Sequence, residues 1–473
     1  MNTIQSFFSK KLFLVVWVMG LSFTIASGQT THTEYFMRSS SSKMYLNPAK
    51  RPDRGYIGIP GLNSVQMEYR TNTFGIDNFL FPGWGENGKS AWFLNQNVSY
   101  ERFMEGISPQ NYVNMDMAYT PIGFGFYIGK LFLAFDAGLK INTDLNIPEG
   151  VFRFLKKGIS LGEEGTGESY DFSDISVGGT VYVETGVGAS FPLFDNSLIV
   201  GAKVKLLGGL VDTRFNIDRM VFNAGKDRWT LSTQASAHIA GIPVTYDDEN
   251  KFEGLDSDNL SLGINGIGLG LDLGITFTPG NSGFTFSAAL TDIGSIAWDD
   301  QYATYLKTDP QDMLITGDHN ISYENNSDNF LSDIVDNLRD DFANAIALKA
   351  DPDAKAKKTT DLVSKLNLGV EYAFLDKQMN VGVLSSTYYH PLTPWTEITL
   401  AGAYRPGRAL EVGVSYSFLF SKFETFGLAV QLGPIFVAGD YIVPHFNSDF
   451  IPTTMRAFNM RFGLRVPIGP VKH

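Results

Sequence analysis

Two stretches decide the fold of this chain, 366-LNLGVEYAF-374 and 410-LEVGVSYSFLF-420. In both, a large apolar residue at every second position alternates with a small or polar residue. Successive side chains of a β-strand point to opposite faces, so each stretch presents one apolar face and one small or polar face. The same alternation recurs near 131–140, 181–191, 198–206, 269–277 and 458–466. The chain is therefore built mainly from amphipathic strands.

The lengths of these strands and of their connections predict how they assemble. Each run lasts about 9–12 residues, which matches a tilted strand that crosses a membrane. Short turns near 129–130, 192–197, 279–283, 375–378, 405–408 and 433–434 alternate with links near 143–178, 212–261, 297–363, 386–394, 419–424 and 444–454. Adding one strand near Ala91 to Met104 and one at Met455 to Pro467 gives about 14 strands, with both termini on the short-turn, periplasmic side. We predict an all-β, transmembrane, antiparallel up-and-down barrel with short helices in long loops; the alternative fold is a soluble β-sandwich.

The first residues predict export. Lys10 and Lys11 precede an apolar run from Leu12 to Ile25, and the small residues Ala26-Ser27-Gly28 follow. This order is that of a signal peptide, and the run is shorter than the about 20 residues of a spanning helix. We predict a signal peptide at 1–28, an N-terminal segment at 29–90 as a candidate lumen plug, a barrel at 91–467 and a C-terminal tail at 468–473. The predicted location is the outer membrane, with its lipid as a partner.

The composition is typical of a wall that faces lipid. The chain has 48 Gly, 37 Phe and 20 Tyr among 473 residues, and 18% of its residues are charged, against about 25% in soluble domains. It has no Cys, which excludes disulfides, thiolate metal sites and a lipid-modified Cys. Its formal charge is −13 and it has no basic cluster, so we expect no nucleic acid partner.

Three short motifs carry a family resemblance: Leu46-Asn47-Pro48-Ala49, Leu290-Thr291-Asp292-Ile293-Gly294 with Trp298, and Arg461-Phe462-Gly463-Leu464. With the helix-bearing loops, the chain resembles an uncharacterised family of Bacteroidota outer-membrane β-barrels, a domain of unknown function. That family is similar in layout to the long-chain fatty-acid transporters and to the type IX secretion shuttle barrel. The resemblance covers about residues 40–473. It implies a barrel of about 14 strands with N-terminal residues in or beneath the lumen.

The face opposite the apolar wall carries charges of both signs, which we assign to the lumen. These candidate lining residues are Asp136, Lys140, Glu184, Lys203, Lys205, Asp272, Glu371, Glu397, Glu411, Arg461 and Arg465. They are consistent with salt-bridged ladders that fill the barrel and also with a selectivity lining. A lining with charges of both signs differs from the apolar lining that a conduit for lipids requires.

A helical pattern interrupts the longest link. Phe330, Ile334, Leu338 and Phe342 fall on one apolar stripe within 327–348, and strand parity places this stripe on the extracellular side. An apolar stripe of this length must be covered. We expect either a lid packed against other loops, including a shorter helix at Val151 to Lys157, or a surface that gathers a hydrophobic or amphiphilic ligand. The ligand-gathering role follows the loop helices of the transporter group.

The sequence contains no motif for catalysis or for a cofactor. A Gly-x-Ser-x-Gly elbow, a His-Glu-x-x-His pair and a phosphate-binding loop are all missing, so we predict neither an enzyme nor a metal site. Calcium binding by the acidic loop 247–258 is left open. Two functions remain. The first is passage or uptake of a small or amphiphilic solute, and the alternative is a plugged barrel that acts as a scaffold and docks surface or secreted proteins.

Overall fold

The computed structural model describes residues 31–158, 168–224, 229–256, 263–280, 282–308, 311–315, 346–351, 359–390, 394–419, 423–442 and 456–471. The strands are β1 (Gly55–Gly58), β2 (Ser64–Thr71), β3 (Leu80–Phe81), β4 (Ala91–Trp92), β5 (Gln110–Ile128), β6 (Leu131–Pro148), β7 (Ser169–Asp171), β8 (Ile175–Leu193), β9 (Leu198–Ala224), β10 (Trp229–Ala240), β11 (Val244–Tyr246), β12 (Phe252–Leu255), β13 (Gly266–Phe277), β14 (Phe284–Trp298), β15 (Ala303–Lys307), β16 (Gln311–Ile315), β17 (Lys349–Ala350), β18 (Thr359–Asp361), β19 (Ser364–Phe374), β20 (Met379–Tyr389), β21 (Trp395–Tyr404), β22 (Leu410–Leu419), β23 (Phe423–Leu432), β24 (Ile435–Ile442) and β25 (Ala457–Ile468). The α-helices are α1 (Ile76–Phe79), α2 (Tyr100–Met104) and α3 (Glu149–Lys157), and short 3-10 turns lie at Thr33–Phe36, Ser42–Tyr45, Glu86–Gly88 and Phe194–Asn196.

Fourteen strands close into one antiparallel barrel. β1 and β2 form a single interrupted strand, which pairs with β25 on one side and with β5 on the other. From β5 the ring continues through β6, β8, β9, β13, β14, β19, β20, β21, β22, β23, β24 and β25. Closure pairs the two outermost strands with each other, so the ring has no free edge. The predicted fold class and strand number are confirmed.

The outer wall of the ring is apolar. Its large apolar side chains are far more exposed than a water-soluble fold tolerates, for example Ile267 at 73%, Leu269 at 62% and Val187 at 59%. A continuous apolar surface of this kind is strongly unfavourable in water. It therefore fits the hydrocarbon layer of a bilayer. Among the described residues, no helix has the length and apolarity needed to span a membrane.

The tight turns all lie at one end of the barrel, where they join β5 to β6, β8 to β9, β13 to β14, β19 to β20, β21 to β22 and β23 to β24. Gly129 (φ 60°) and Gly433 (φ 57°) adopt the left-handed conformation in two of them, as two-residue turns between antiparallel strands require. We call this the short-turn end and the opposite end the long-loop end. The turns predicted near 129–130 and 433–434 are confirmed.

The first barrel strand is not where the sequence predicted it. Near Ala91 to Met104, β4 pairs with β3 in a separate two-stranded sheet and α2 is helical. Phe93 and Phe103 from this stretch pack into an aromatic cluster, which buries both rings, whereas a wall strand exposes every second side chain. The strand is instead formed by β1 and β2, so the barrel begins at Gly55 and not at residue 91.

The link predicted at 212–261 contains much more sheet than expected. β9 continues to Ala224, where β10 pairs with it, and β10 in turn pairs with β15 and β16. This extension has its own buried core, which includes Tyr170, Phe222 and Leu231. That core stabilises strands whose mixed polar pattern resembles a loop. The shorter helix predicted at Val151 to Lys157 is present as α3.

Candidate functional site

The interior of the barrel is occupied by residues 31–54, the part of the predicted 29–90 segment that precedes the first barrel strand. From here on, the name N-terminal segment refers to residues 31–54 only. At the short-turn end, Arg51 donates a hydrogen bond to the Lys130 carbonyl oxygen (2.8 Å) in the β5–β6 turn. At the other end of the segment, the His32 side chain lies 3.1 Å from the Tyr388 hydroxyl, near the end of β20. Most residues of the segment are buried, and the others are partly buried. The segment therefore runs along the lumen and not beneath it.

Charged side chains of the wall hold the segment near the short turns. Glu411 accepts hydrogen bonds from the backbone N–H groups of Arg38 (2.6 Å) and Ser39 (2.8 Å) and from the Ser39 hydroxyl. Lys50 forms an ion pair with Glu371 (2.7 Å), and Asp53 forms one with Arg405. Hydrogen bonds to ionised groups are the stronger class in proteins, so these contacts fix the path of the segment.

His32 holds the other end of the segment between two wall carboxylates. Its Nδ1 lies 3.0 Å from Glu397, and its backbone N–H donates to Asp440 (2.5 Å). Burial alone would lower the pKa of His32, but the charges of Glu397 and Asp440 oppose this and raise it above its usual value. The geometry therefore favours a protonated imidazole.

The motif Leu46-Asn47-Pro48-Ala49 lies directly on the wall. The Asn47 amide donates to the carbonyl oxygens of Ile275 (3.2 Å) and Ala288 (3.3 Å). A Cβ added to Gly274 would overlap the Asn47 amide oxygen, and one added to Gly201 would overlap the Pro48 backbone. The segment approaches so closely because these two wall positions have no side chain.

Above this motif, the lumen contains a buried charge network. Lys203 pairs with Asp136 (2.8 Å) and Glu184 (3.2 Å). Lys205 pairs with Asp272 (2.7 Å) and Asp292 (2.5 Å), and Lys365 also pairs with Asp292 (2.8 Å). Each of these seven side chains has an opposite charge beside it, as charges in a low-dielectric interior require.

The eleven candidate lining residues all lie on the inner wall. Glu371, Glu397 and Glu411 contact the N-terminal segment, and Asp136, Glu184, Lys203, Lys205 and Asp272 belong to the charge network. The remaining three surround the Tyr45 ring of the segment: Arg461 at 4.8 Å, Lys140 at 5.9 Å and Arg465 at 6.0 Å from its centroid. The loop-helix residues Phe330, Ile334, Leu338 and Phe342 lie outside the described residues, as does the predicted signal peptide.

Sequence reasoning missed several residues of the lumen, and Asp292 is the clearest case. Strict alternation from the exposed Leu290 would place Asp292 on the outer face. The β13–β14 register shifts between Leu271 and Leu273, and Asp292 has a φ of 58°. This irregularity turns its carboxylate inward. The left-handed backbone is a conformation that Asp adopts more readily than most residues, which is the one signal the sequence offered.

Cavities lie on both sides of the Leu46-Asn47-Pro48-Ala49 motif. A cavity of about 680 Å³ at the short-turn mouth runs beside the segment and reaches Tyr35 and Ala49. On the far side, two cavities of about 40 Å³ each lie within the charge network, and Leu46 borders one of them. In the described part of the chain, no three acidic or His side chains are grouped closely enough to hold a metal ion.

A model of the family of unknown function DUF5723 matches residues 48–440. The chain belongs to this family. The predicted membership of a family of unknown function is confirmed, whereas the predicted Bacteroidota origin stays a prediction. No curated protein matches the sequence.

Solved barrels are similar to this DUF5723 chain at low identity. The toluene transporter TodX of Pseudomonas putida is 9% identical, with 93% of this chain and 94% of that chain covered and a TM-score of 0.33. The monoaromatic hydrocarbon channel CymD is 8% identical, with 94% and 95% covered and a TM-score of 0.31. Identities this low establish no shared ligand.

Proposed function

We propose that this chain is an outer-membrane barrel through which a small or amphiphilic solute passes, and that the Leu46-Asn47-Pro48-Ala49 motif forms the gate. One observation carries the proposal. Ala49 borders the cavity at the short-turn mouth and Leu46 borders a cavity of the charge network, so these four residues separate two spaces along the lumen. The apolar outer wall and the predicted signal peptide support the outer-membrane location.

The lining of the large cavity supports the solute class. It combines the aromatic rings of Tyr35, Phe36 and Tyr127 with the charged Arg38, Lys43, Lys50, Arg51, Asp53 and Glu371. Pockets of this kind bury the apolar part of a ligand and orient its polar part through a few charged groups. A small amphiphilic molecule satisfies both kinds of lining.

The contacts of the motif support its role as a gate. Neutral hydrogen bonds hold it: two from the Asn47 amide to wall carbonyls, and one from Asn367 to the Leu46 carbonyl oxygen (2.9 Å). Each such bond contributes about 0.5–1.5 kcal/mol net, because water replaces the lost partner. A small displacement of the motif would therefore join the two spaces at a modest cost in free energy.

Planar-bilayer conductance of the folded barrel tests this proposal. We expect small, intermittent conductance from the wild type. Gly274→Ala should increase the open time at least ~10-fold, because the added methyl group overlaps Asn47 and destabilises the closed position of the motif by about 1–3 kcal/mol. Asn47→Ala, which removes the hydrogen bonds without altering the wall, should act in the same direction. Gly188→Ala is the matched control, because a Cβ there would lie 3.6 Å from the Lys203 side chain, an ordinary contact.

A heat-modifiable gel shift establishes that each variant is folded. Folded wild type, Gly274→Ala and Asn47→Ala barrels that all fail to conduct would overturn the proposal. An equal rise in conductance for Gly188→Ala would overturn the assignment of the gate to this motif.

A further inference from the structure

One of the two small cavities within the charge network has an unusual charge balance. Its wall includes the cationic groups of Lys140, Lys205, Lys365 and Arg461, against the carboxylates of Glu184 and Asp292. Both carboxylates already form ion pairs, Glu184 with Lys203 and Asp292 with Lys205 and Lys365. Two cationic groups of this wall remain outside these ion pairs: Lys140 forms none among the described residues, and the Arg461 guanidinium lies 4.0 Å from the Glu34 carboxylate.

Lys140 forms no ion pair within the described part of the chain, although its charge interacts at longer range with that of Glu184. Its ammonium makes no hydrogen bond there, and it lies 5.9 Å from the centroid of the Tyr45 ring. The side chain borders both small cavities and is partly exposed to them. An ammonium held at this depth needs either water or an anion beside it.

Arg461 is more deeply buried and also lacks a full set of partners. It is 1% exposed, and its Nε donates to the Ser64 hydroxyl (3.0 Å). Its Nη1 has no hydrogen-bond partner among the described residues, and the Glu34 carboxylate is 4.0 Å away. Glu34 itself accepts hydrogen bonds from the Thr31 hydroxyl (2.6 Å) and the Ser40 hydroxyl (2.8 Å). A buried guanidinium with an unsatisfied N–H favours an acceptor in the adjoining space.

We propose that this cavity binds one small anionic group, a halide or a carboxylate, between Lys140 and Arg461. Its volume of about 40 Å³ corresponds to roughly three water-sized spheres, which suffices for a monatomic anion or a single carboxylate. The biological role of this site rests on the proposed passage: the site would bind the carboxylate of the amphiphilic solute. The site itself exists independently of conductance.

Bromide is the first probe, because its anomalous scattering locates it. Crystals of the folded, full mature chain soaked in sodium bromide should show an anomalous peak between the Lys140 ammonium and the Arg461 guanidinium. In solution, bromide should raise the melting temperature of the barrel saturably at constant ionic strength. Gluconate, which is too large for the cavity, replaces bromide in the reference samples. Acetate should compete with bromide if the site accepts a carboxylate.

Lys140→Gln is the test variant, because Lys140 forms no ion pair whose loss would disturb the fold. We expect its apparent Kd for bromide to rise at least ~10-fold, as expected for removing one charge from a partly buried site. Lys130→Gln, in the exposed β5–β6 turn, removes the same charge outside the lumen and should leave the Kd unchanged.

Two results would overturn the inference: absence of the anomalous peak in wild-type crystals, or equal bromide affinity in Lys140→Gln and the wild type. Acetate that fails to displace bromide would overturn the carboxylate part. A barrel that binds bromide at this site but never conducts would contradict the proposed passage and leave the anion site standing.

Discussion

The two ends of the barrel interior are occupied in different ways. Near the short turns, the N-terminal segment is held by ion pairs and hydrogen bonds, such as those to Glu411. At the long-loop end, residues 72–107 pack against α3 through aromatic rings. Phe93 and Phe103 stack with centroids 4.6 Å apart, and Phe152 of α3 lies against Phe79 (6.1 Å) and Phe103 (6.4 Å).

This difference indicates which end is suited to move. A polar contact that breaks is replaced by a contact with water, so its net cost is about 0.5–1.5 kcal/mol between neutral groups and about 1.5–3 kcal/mol where one group is ionised. Aromatic packing has no such replacement, because separating the rings exposes apolar area. Two hydrogen bonds also fix the aromatic cluster: the Lys156 ammonium donates to the carbonyl oxygens of Phe93 (2.7 Å) and Asn95 (3.1 Å). We infer that the long-loop cluster is a permanent cover and that the N-terminal segment is the displaceable part.

The largest effect is expected from Phe103→Ala in the aromatic cluster. Phe103 is fully buried, and truncation of a buried Phe costs about 3–5 kcal/mol. Hydrogen exchange in residues 93–107 should accelerate at least ~100-fold, whereas exchange in residues 31–54 should not change. Trp92→Ala is the control with a smaller effect, since Trp92 is 54% exposed. Equal acceleration in both regions would show that the two ends open as one unit.

A smaller effect is expected from Glu411→Gln at the short-turn end. This change removes the charge that accepts three hydrogen bonds from Arg38 and Ser39, at a cost of about 1.5–3 kcal/mol. The chain has no native Cys, so a single Ser42→Cys, at a position that is 1% exposed, reports release of the segment. Maleimide labelling should accelerate at least ~10-fold. Asp376→Asn, an exposed carboxylate of the same mouth, is the control; if it has the same effect, the general charge of the mouth holds the segment.

The smallest effect concerns pH and His32. The pKa of His32 is raised in the folded state, so its ion pairs contribute fully below the usual value of about 6.5 and are lost as the pH rises through the folded-state value. Labelling of Ser42→Cys, normalised to that of an exposed Lys130→Cys, should therefore increase with pH. The increase should be smaller than that caused by Glu411→Gln. A His32→Gln background should abolish it, and an unchanged pH profile in that background would exclude His32 as the cause.

The strand alternation and the short turns were readable from the sequence. The period of two in β19 and β22 follows from backbone geometry, so it identifies the inner and outer residues without any knowledge of neighbouring strands. The same period is what placed the eleven candidate lining residues together on the face opposite the apolar wall. The first strand was missed because the break between β1 and β2 at 59–63 divides it into pieces of 4 and 8 residues, each shorter than the uninterrupted runs by which the other strands were recognised.

Closure of the barrel decided what the sequence left open. Lys205 and Asp292, and likewise Glu34 and Arg461, face each other because the ring brings distant strands and the N-terminal segment together. The roles of Gly201 and Gly274 depend on the backbone of residues 47–49, which lies against them only in the folded barrel. Alternation is a local property of one strand, so adjacent residues in the sequence are enough to identify it. The pairing of charges, the path of the N-terminal segment and the cavities beside it depend on distances across the lumen, which only the closed ring sets.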